Sequence, residues 1–131
     1  MGNCFTIKQA LTEKLEFANN LFVAVGIIGV TDAFIVTSTD GITWTEQVNP
    51  KNKTLKSITW TGTWYVAMGA NYMVISQDGV TWKEIIYPGG IEIESVHYNN
   101  DGLVCACGVN GTNGAFVDAQ LLRALNFKSF Q

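Results

Sequence analysis

The heptad Ser38-Thr39-Asp40-Gly41-Ile42-Thr43-Trp44 returns as Ser76-Gln77-Asp78-Gly79-Val80-Thr81-Trp82, with Asp40 and Asp78, like Trp44 and Trp82, 38 positions apart. A spacing of this size marks a repeat architecture. A unit that short cannot enclose its own apolar face, so neighbouring units must stack to bury one. Inside the heptad, Asp-Gly is a hairpin signal because glycine accepts the positive φ that other residues resist. Ser38 and Asp40, and likewise Ser76 and Asp78, can bond backbone N–H groups of their own turn, and the hydroxyls of Thr43 and Thr81 can do the same. The indoles of Trp44 and Trp82 are then free to cover the turn with a large apolar surface. Removing either aspartate is expected to leave buried backbone groups unpaired. Nothing in this set requires catalysis.

Working outward, a second strand aligns three times: Leu21-Phe22-Val23-Ala24-Val25-Gly26, Trp64-Tyr65-Val66-Ala67-Met68-Gly69 and Leu103-Val104-Cys105-Ala106-Cys107-Gly108. Alanine holds the same place in each, and glycine closes each. Before these strands come the alternating pairs Leu15 and Phe17, Ile58 and Trp60, Val96 and Tyr98. Turns rich in Asn, Gly, Thr and Asp separate the two strands at 18–20, 61–63 and 99–102. A third strand precedes each heptad, at 33–37 and 72–76, and a fourth follows it, at 43–48 and 81–87. The unit is thus a four-stranded antiparallel meander, repeated over about 15–50, 58–90 and 96–120.

The third unit departs from the pattern. Ala115-Phe116-Val117-Asp118-Ala119-Gln120 parallels Ala33-Phe34-Ile35-Val36-Thr37-Ser38, but Leu122 and Asn126 stand where the heptad has Asp and Trp. Meanwhile Phe5-Thr6-Ile7-Lys8-Gln9-Ala10-Leu11 resembles the fourth strand Val80-Thr81-Trp82-Lys83-Glu84-Ile85-Ile86. Residues 1–14 are therefore expected to supply a closing strand, the missing outer strand of the third unit. The tail, 121–131, fits a helix through Leu121, Leu122 and Leu125 as well as a strand through 126–130. Its apolar residues suit docking on the chain itself or on a partner.

The 131 residues fit one small domain over 1–131, and two prolines, thirteen glycines and many β-branched and aromatic residues favour an all-β chain. A net charge of −3, with eight Lys and Arg scattered along the chain, shows no basic face for nucleic acid. No signal peptide is read at the amino terminus, and the apolar stretch 21–36 is interrupted by Gly26, Gly29, Thr31 and Asp32. Membrane insertion is not expected. Cys105 and Cys107 share one face of a strand without disulfide geometry and read as reduced, buried, small apolar side chains. With His97 the single histidine, no metal site and no cofactor are expected.

The two heptads resemble the Asp-box, or bacterial neuraminidase repeat, whose usual form Ser-x-Asp-x-Gly-x-Thr-Trp marks a hairpin in β-propeller blades. Here the residue between Asp and Gly is missing, so the likeness is to a shortened variant. The pattern of Leu-Phe-Val-Ala-Val-Gly followed by Ser-x-Asp-Gly-x-Thr-Trp is similar to propeller repeats of bacteriophage tail and virion proteins. The resemblance covers about 15–118. It implies blades of a β-propeller, about three per chain, with Ser38, Asp40, Gly41, Thr43, Trp44, Ser76, Asp78, Gly79, Thr81 and Trp82 as structural Asp-box residues. It implies little about chemistry, since the Asp-box of sialidases lies away from their active site. Sialidases also carry an arginine triad, and this chain has Arg123 alone, so an enzyme is not expected.

Propellers close with four to eight blades, and three blades stacked alone leave two apolar faces open. The chain is therefore expected to close by oligomerisation, head to tail. A homodimer with about six blades is favoured over a homotrimer with about nine. The expected role is a non-enzymatic structural or attachment component, located in the virion if phage-derived and otherwise in the cytoplasm. The alternatives are a glycan-recognition module and a protein-binding assembly factor, with other virion proteins or a surface glycan as further partners.

Three local features bear on these alternatives. His97, Tyr98, Asn99 and Asn100 mix aromatic and polar groups at a turn and are the candidate glycan contact, though Tyr98 also matches Trp60 and Phe17 of the repeat. Glu92 and Glu94 alternate with Ile91 and Ile93, so both carboxylates fall on one face of an ordinary half-buried strand rather than forming a glycosidase pair. The basic stretch Lys51-Asn52-Lys53-Thr54-Leu55-Lys56 reads as a solvated connection between the first two units.

Overall fold

The computed structural model describes residues 10–28, 32–69, 71–86, 92–98, 104–109 and 115–117. They form three antiparallel sheets, and no helix occurs among them. Sheet 1 runs β1 (Ala10–Ala18), β2 (Leu21–Ile28), β3 (Asp32–Ser38) and β4 (Thr45–Gln47) in that order. Sheet 2 repeats it with β5 (Leu55–Trp60), β6 (Tyr65–Gly69), β7 (Tyr72–Ser76) and β8 (Lys83–Glu84). Sheet 3 contains β9 (Glu92–Tyr98), β10 (Val104–Val109) and β11 (Ala115–Val117). Each strand pairs with the next along the chain, as a meander requires.

The repeat holds in the register of pairing as well as in the sequence. Leu15, Ile58 and Val96 lie opposite Ala24, Ala67 and Ala106, while Phe17, Trp60 and Tyr98 lie opposite Phe22, Tyr65 and Val104. The closing glycines Gly26, Gly69 and Gly108 face Phe34, Tyr72 and Phe116 across the next strand. Short loops fix this register. Asn19 and Asn20, at φ 54° and 62°, make a two-residue hairpin between β1 and β2, because asparagine tolerates the left-handed region that such a turn demands. In sheet 2 the loop is longer: Gly62 takes φ 98°, and the Thr61 hydroxyl accepts from Trp64 N at 3.0 Å.

Each first strand also carries a bulge at one repeat position. Register shifts fall between Thr12 and Lys14, between Leu55 and Ser57, and opposite Cys107 and Gly108, which leaves Glu13, Lys56 and Glu94 as the extra residues. An irregularity placed identically three times belongs to the unit's design. It also accounts for a glycine: a Cβ on Gly69 would run into the Thr54 carbonyl beside the bulge.

The sheets stack face on face and approach one another along their first strands, β1 beside β5 and β5 beside β9. Between sheets 1 and 2, Val23, Val25 and Ile35 pack against Leu55, Ile58, Tyr65, Ala67, Tyr72, Val74 and Trp82. Between sheets 2 and 3, Val66, Met68, Met73 and Ile75 receive Ile93, Val96 and Ala106. Sheet 2 is thus apolar on both faces, and every residue of β6 and β7 is buried. Each fully buried aliphatic side chain contributes about 1.5–3 kcal/mol, so the middle sheet anchors the stack.

The observed strands adjust several sequence expectations. β1 begins at Ala10, so Ala10 and Leu11 pair with Ile28 and Ile27 in sheet 1; the remainder of the proposed closing segment lies outside the described residues. The outer strands β4 and β8 span three and two residues, shorter than expected because the heptad turn absorbs the residues before them. Leu55 and Lys56 belong to β5, not to a connecting loop. The tail at 121–131 and residues 99–103 are likewise outside the described residues.

Candidate functional site

The two heptads form the same turn. In the first, the Ser38 hydroxyl donates to Asp40 Oδ1 at 2.9 Å and accepts from Gly41 N at 2.8 Å and Asp40 N at 3.2 Å. Asp40 Oδ1 in turn accepts from Ile42 N at 2.8 Å and Thr43 N at 2.9 Å. In the second, the Ser76 hydroxyl donates to Asp78 Oδ1 at 3.1 Å and accepts from Gly79 N at 2.8 Å, and Asp78 Oδ1 accepts from Val80 N at 2.8 Å and Thr81 N at 2.9 Å. Gly41 and Gly79 sit at φ 77° and 80°. Thr43 and Thr81 enter through their N–H groups. The carboxylate oxygen in each turn is therefore committed to local backbone rather than held out for a substrate.

Those bonds set the acidity of both groups. The N–H groups of Thr43 and then Ile42, followed by the Ser38 hydroxyl, hold the Asp40 carboxyl below its ordinary value of 3.8. Asp78 is lowered the same way, by the N–H of Thr81 and then of Val80, with burial working weakly against them. The N–H groups of residues 42, 43, 80 and 81 that bind these carboxylates are exposed. This corrects the expectation of buried N–H groups left stranded by aspartate removal: water can replace the lost acceptor.

The turns differ in what lies above them. Trp82 is buried, and its Nε1 donates to Gly79 O at 2.9 Å. Trp44 remains half-buried over Phe22, with ring centroids 6.2 Å apart. A Cβ on Gly79 would meet Leu21 Cδ2 of sheet 1 at 2.6 Å, whereas one on Gly41 would touch only Phe22 of its own sheet, at 3.7 Å. Sheet 1 therefore caps the second turn, and no described residue of another sheet caps the first.

Two tyrosines of sheet 2 bond outside it, Tyr65 to sheet 1 and Tyr72 to the linker between β4 and β5, and sequence reasoning passed over both. Tyr65 OH donates to Ala18 O at 2.6 Å. Tyr72 OH donates to Asn49 Oδ1 at 2.6 Å and accepts from Lys51 N at 3.0 Å. Burial, and then the Glu16 charge, pushes the Tyr65 hydroxyl above its usual acidity range; burial dominates for Tyr72 as well. The signal was available, because the repeat puts Phe22 and Phe34 at the same places in sheet 1: the hydroxyls of Tyr65 and Tyr72 appear where sheet 1 and the linker supply partners. The linker is similarly built. Asn52, at φ 52°, accepts from Ala33 N at 3.0 Å, and Lys53 Nζ lies 5.7 Å from the Tyr72 ring centre.

Of the candidate glycan contacts, His97 is exposed, Tyr98 is half-buried against the core between sheets 2 and 3, and Asn99 and Asn100 lie outside the described residues. The bulge makes Glu94 an extra, exposed residue of β9, so strict alternation does not govern this stretch. Glu13 and Lys56, its counterparts, are 3.9 Å apart. Among the described residues no group of three His, Cys, Asp or Glu side chains could hold a metal ion, and no helix is long and apolar enough to cross a membrane. Comparison with family models, curated proteins and solved structures finds no match to this chain.

Proposed function

We propose that this chain is a non-enzymatic structural or attachment protein built from β-propeller blades, that it self-associates, and that it serves as a component of a bacteriophage particle. The observation that carries the reading is the repeated sheet itself. Three meanders in matching register converge along their first strands, and the two aspartates that look most like chemistry are consumed in holding turns. Blades arranged round an axis have this geometry. The Asp-box likeness of residues 38–44 and 76–82 points the same way, and the virion assignment rests on that likeness.

Mass spectrometry of gradient-purified particles from a culture that produces this protein tests the role. The chain is expected as a stoichiometric particle component; its recovery only from the particle-free fraction would overturn the reading. A glycan array serves the alternative of glycan recognition, for which exposed His97 beside Tyr98 is the local feature. Binding that His97→Ala abolishes would favour that alternative.

A further inference from the structure

Each heptad contains an Asp-Gly bond, at Asp40-Gly41 and Asp78-Gly79; the remaining one in the chain, Asp101-Gly102, lies outside the described residues. Such a bond is open to isomerisation, because glycine has no side chain to hinder attack by its own nitrogen. The glycine nitrogen forms a bond to the aspartate Cγ, and a carboxyl oxygen leaves as water, taking the amide proton and the carboxyl proton with it. Water then opens the cyclic imide at the main-chain carbonyl, and the chain afterwards runs through the side-chain carboxyl as an isoaspartate. The water released equals the water consumed, so no oxidant, reductant or further reactant is needed.

The turn holds the reacting groups apart. Gly41 N donates to Ser38 Oγ and Gly79 N to Ser76 Oγ, both at 2.8 Å, while the carboxylate that would be attacked accepts from the two N–H groups after the glycine. Those bonds also keep the carboxyl ionised, and an ionised carboxylate loses oxygen poorly. Isomerisation must therefore pass through a transiently opened turn, at a rate set by the cost of opening. That cost differs between the heptads. The glycine peptide has to rotate to bring its nitrogen over Cγ, and Gly79 is buried against Leu21 and Val23 of sheet 1 and Tyr65 of its own sheet, with its carbonyl held by Trp82 Nε1 at 2.9 Å. Gly41 is exposed, as are Asp40 and Ile42 on either side, and its near neighbour is Phe22 of its own sheet.

We propose that the first heptad is a modification site of this protein: Asp40 converts to isoaspartate in the folded chain, whereas Asp78, in a turn of the same chemistry, is preserved by the sheet stacked over it. The product adds a methylene to the backbone between β3 and β4, so the change falls on the outer edge of sheet 1 and spares sheet 2.

The test follows the folded full chain during prolonged incubation at mildly acidic pH, with the denatured chain as reference. Cleavage after lysine separates the two positions, since Asp40 lies between Lys14 and Lys51 and Asp78 between Lys56 and Lys83. Isoaspartate in each peptide is read by chromatography and by methyl transfer from an isoaspartyl carboxyl methyltransferase. In denaturant the two positions are expected to convert at similar rates; in the folded chain position 40 should convert about tenfold or more faster than position 78. Equal rates in the folded chain, or faster conversion at 78, would overturn the proposal, and so would a position 40 that stays intact while the denatured chain converts. Two variants locate the cause. Ser38→Ala should speed conversion at 40 alone by about fivefold, the factor one lost hydrogen bond carries, and Leu21→Ala should speed it at 78 while leaving 40 unchanged. No rise at 78 would overturn the assignment of its protection to sheet 1. Should circular dichroism show that Leu21→Ala has not folded, Leu21→Val replaces it with the same expectation and the same contrary result.

Discussion

The turns at 38–44 and 76–82 have nearly the same sequence and share their serine and aspartate bonds, yet among the described residues one lies under a neighbouring sheet and the other does not. Gly79 is buried and Gly41 exposed; Trp82 is buried and Trp44 half-buried. The difference shows that the heptad encodes a turn, while burial is conferred by whatever stacks beside it. That is the behaviour of a repeat protein, in which the energy resides in unit interfaces as much as within units.

Unfolding experiments can break this comparison. The largest effect is expected for Trp82→Ala, about 3–5 kcal/mol as for other large core truncations. Trp44→Ala should cost less than half of that, measured by denaturant unfolding, and equal losses would contradict the account. Gly79→Ala comes next. Both glycines share a left-handed penalty of about 1–2 kcal/mol, but only Gly79→Ala adds overpacking against Leu21, about 1–3 kcal/mol; shortening Leu21 to Ala in the same chain should relieve that added part.

Tyr65→Phe and Tyr72→Phe recreate in sheet 2 the residues that sheet 1 already has. Each is expected to cost about 0.5–1.5 kcal/mol through the lost hydroxyl bond, and no loss at Tyr65 would mean that the Ala18 carbonyl finds another donor. Acid sharpens the comparison further. Both aspartates are held below 3.8 when folded, so their contribution is complete above that value and disappears as pH falls through the lower folded values. Asp78→Asn should flatten the decline of melting temperature below about pH 4, and an unchanged acid slope would argue against the turn geometry. The smallest effect is Lys56→Ala: its 3.9 Å pair with Glu13 is partly exposed, and its loss should stay within about 1 kcal/mol at low salt.

How much of this was legible in the sequence follows from what sequence can carry. Alignment on Ala24, Ala67 and Ala106 found the strands and their pairing, because period-two patterning and turn residues are local signals. The bulges at Glu13, Lys56 and Glu94 were not visible, since an extra residue in a strand leaves the alternation readable on either side. Asn52 falls in the stretch read as a solvated connection, although it bonds to Ala33 across more than a dozen residues, and the bond of Asn49 to Tyr72 is equally non-local. The serine and aspartate bonds of the heptads are local and legible, whereas the threonines enter through N–H groups rather than hydroxyls; that among the described residues another sheet covers only one of the turns depends on sheet order, which no heptad contains.

Native-state hydrogen exchange of two amides tests the central claim most directly. Gly41 N and Gly79 N each donate to a serine hydroxyl at 2.8 Å, so they differ in surroundings and hardly at all in bond length. If stacking confers the protection, Gly79 should exchange roughly tenfold or more slowly than Gly41 after correction for intrinsic rates. Equal protection of the two would contradict the account, because the turn alone would then hold itself closed without its neighbour.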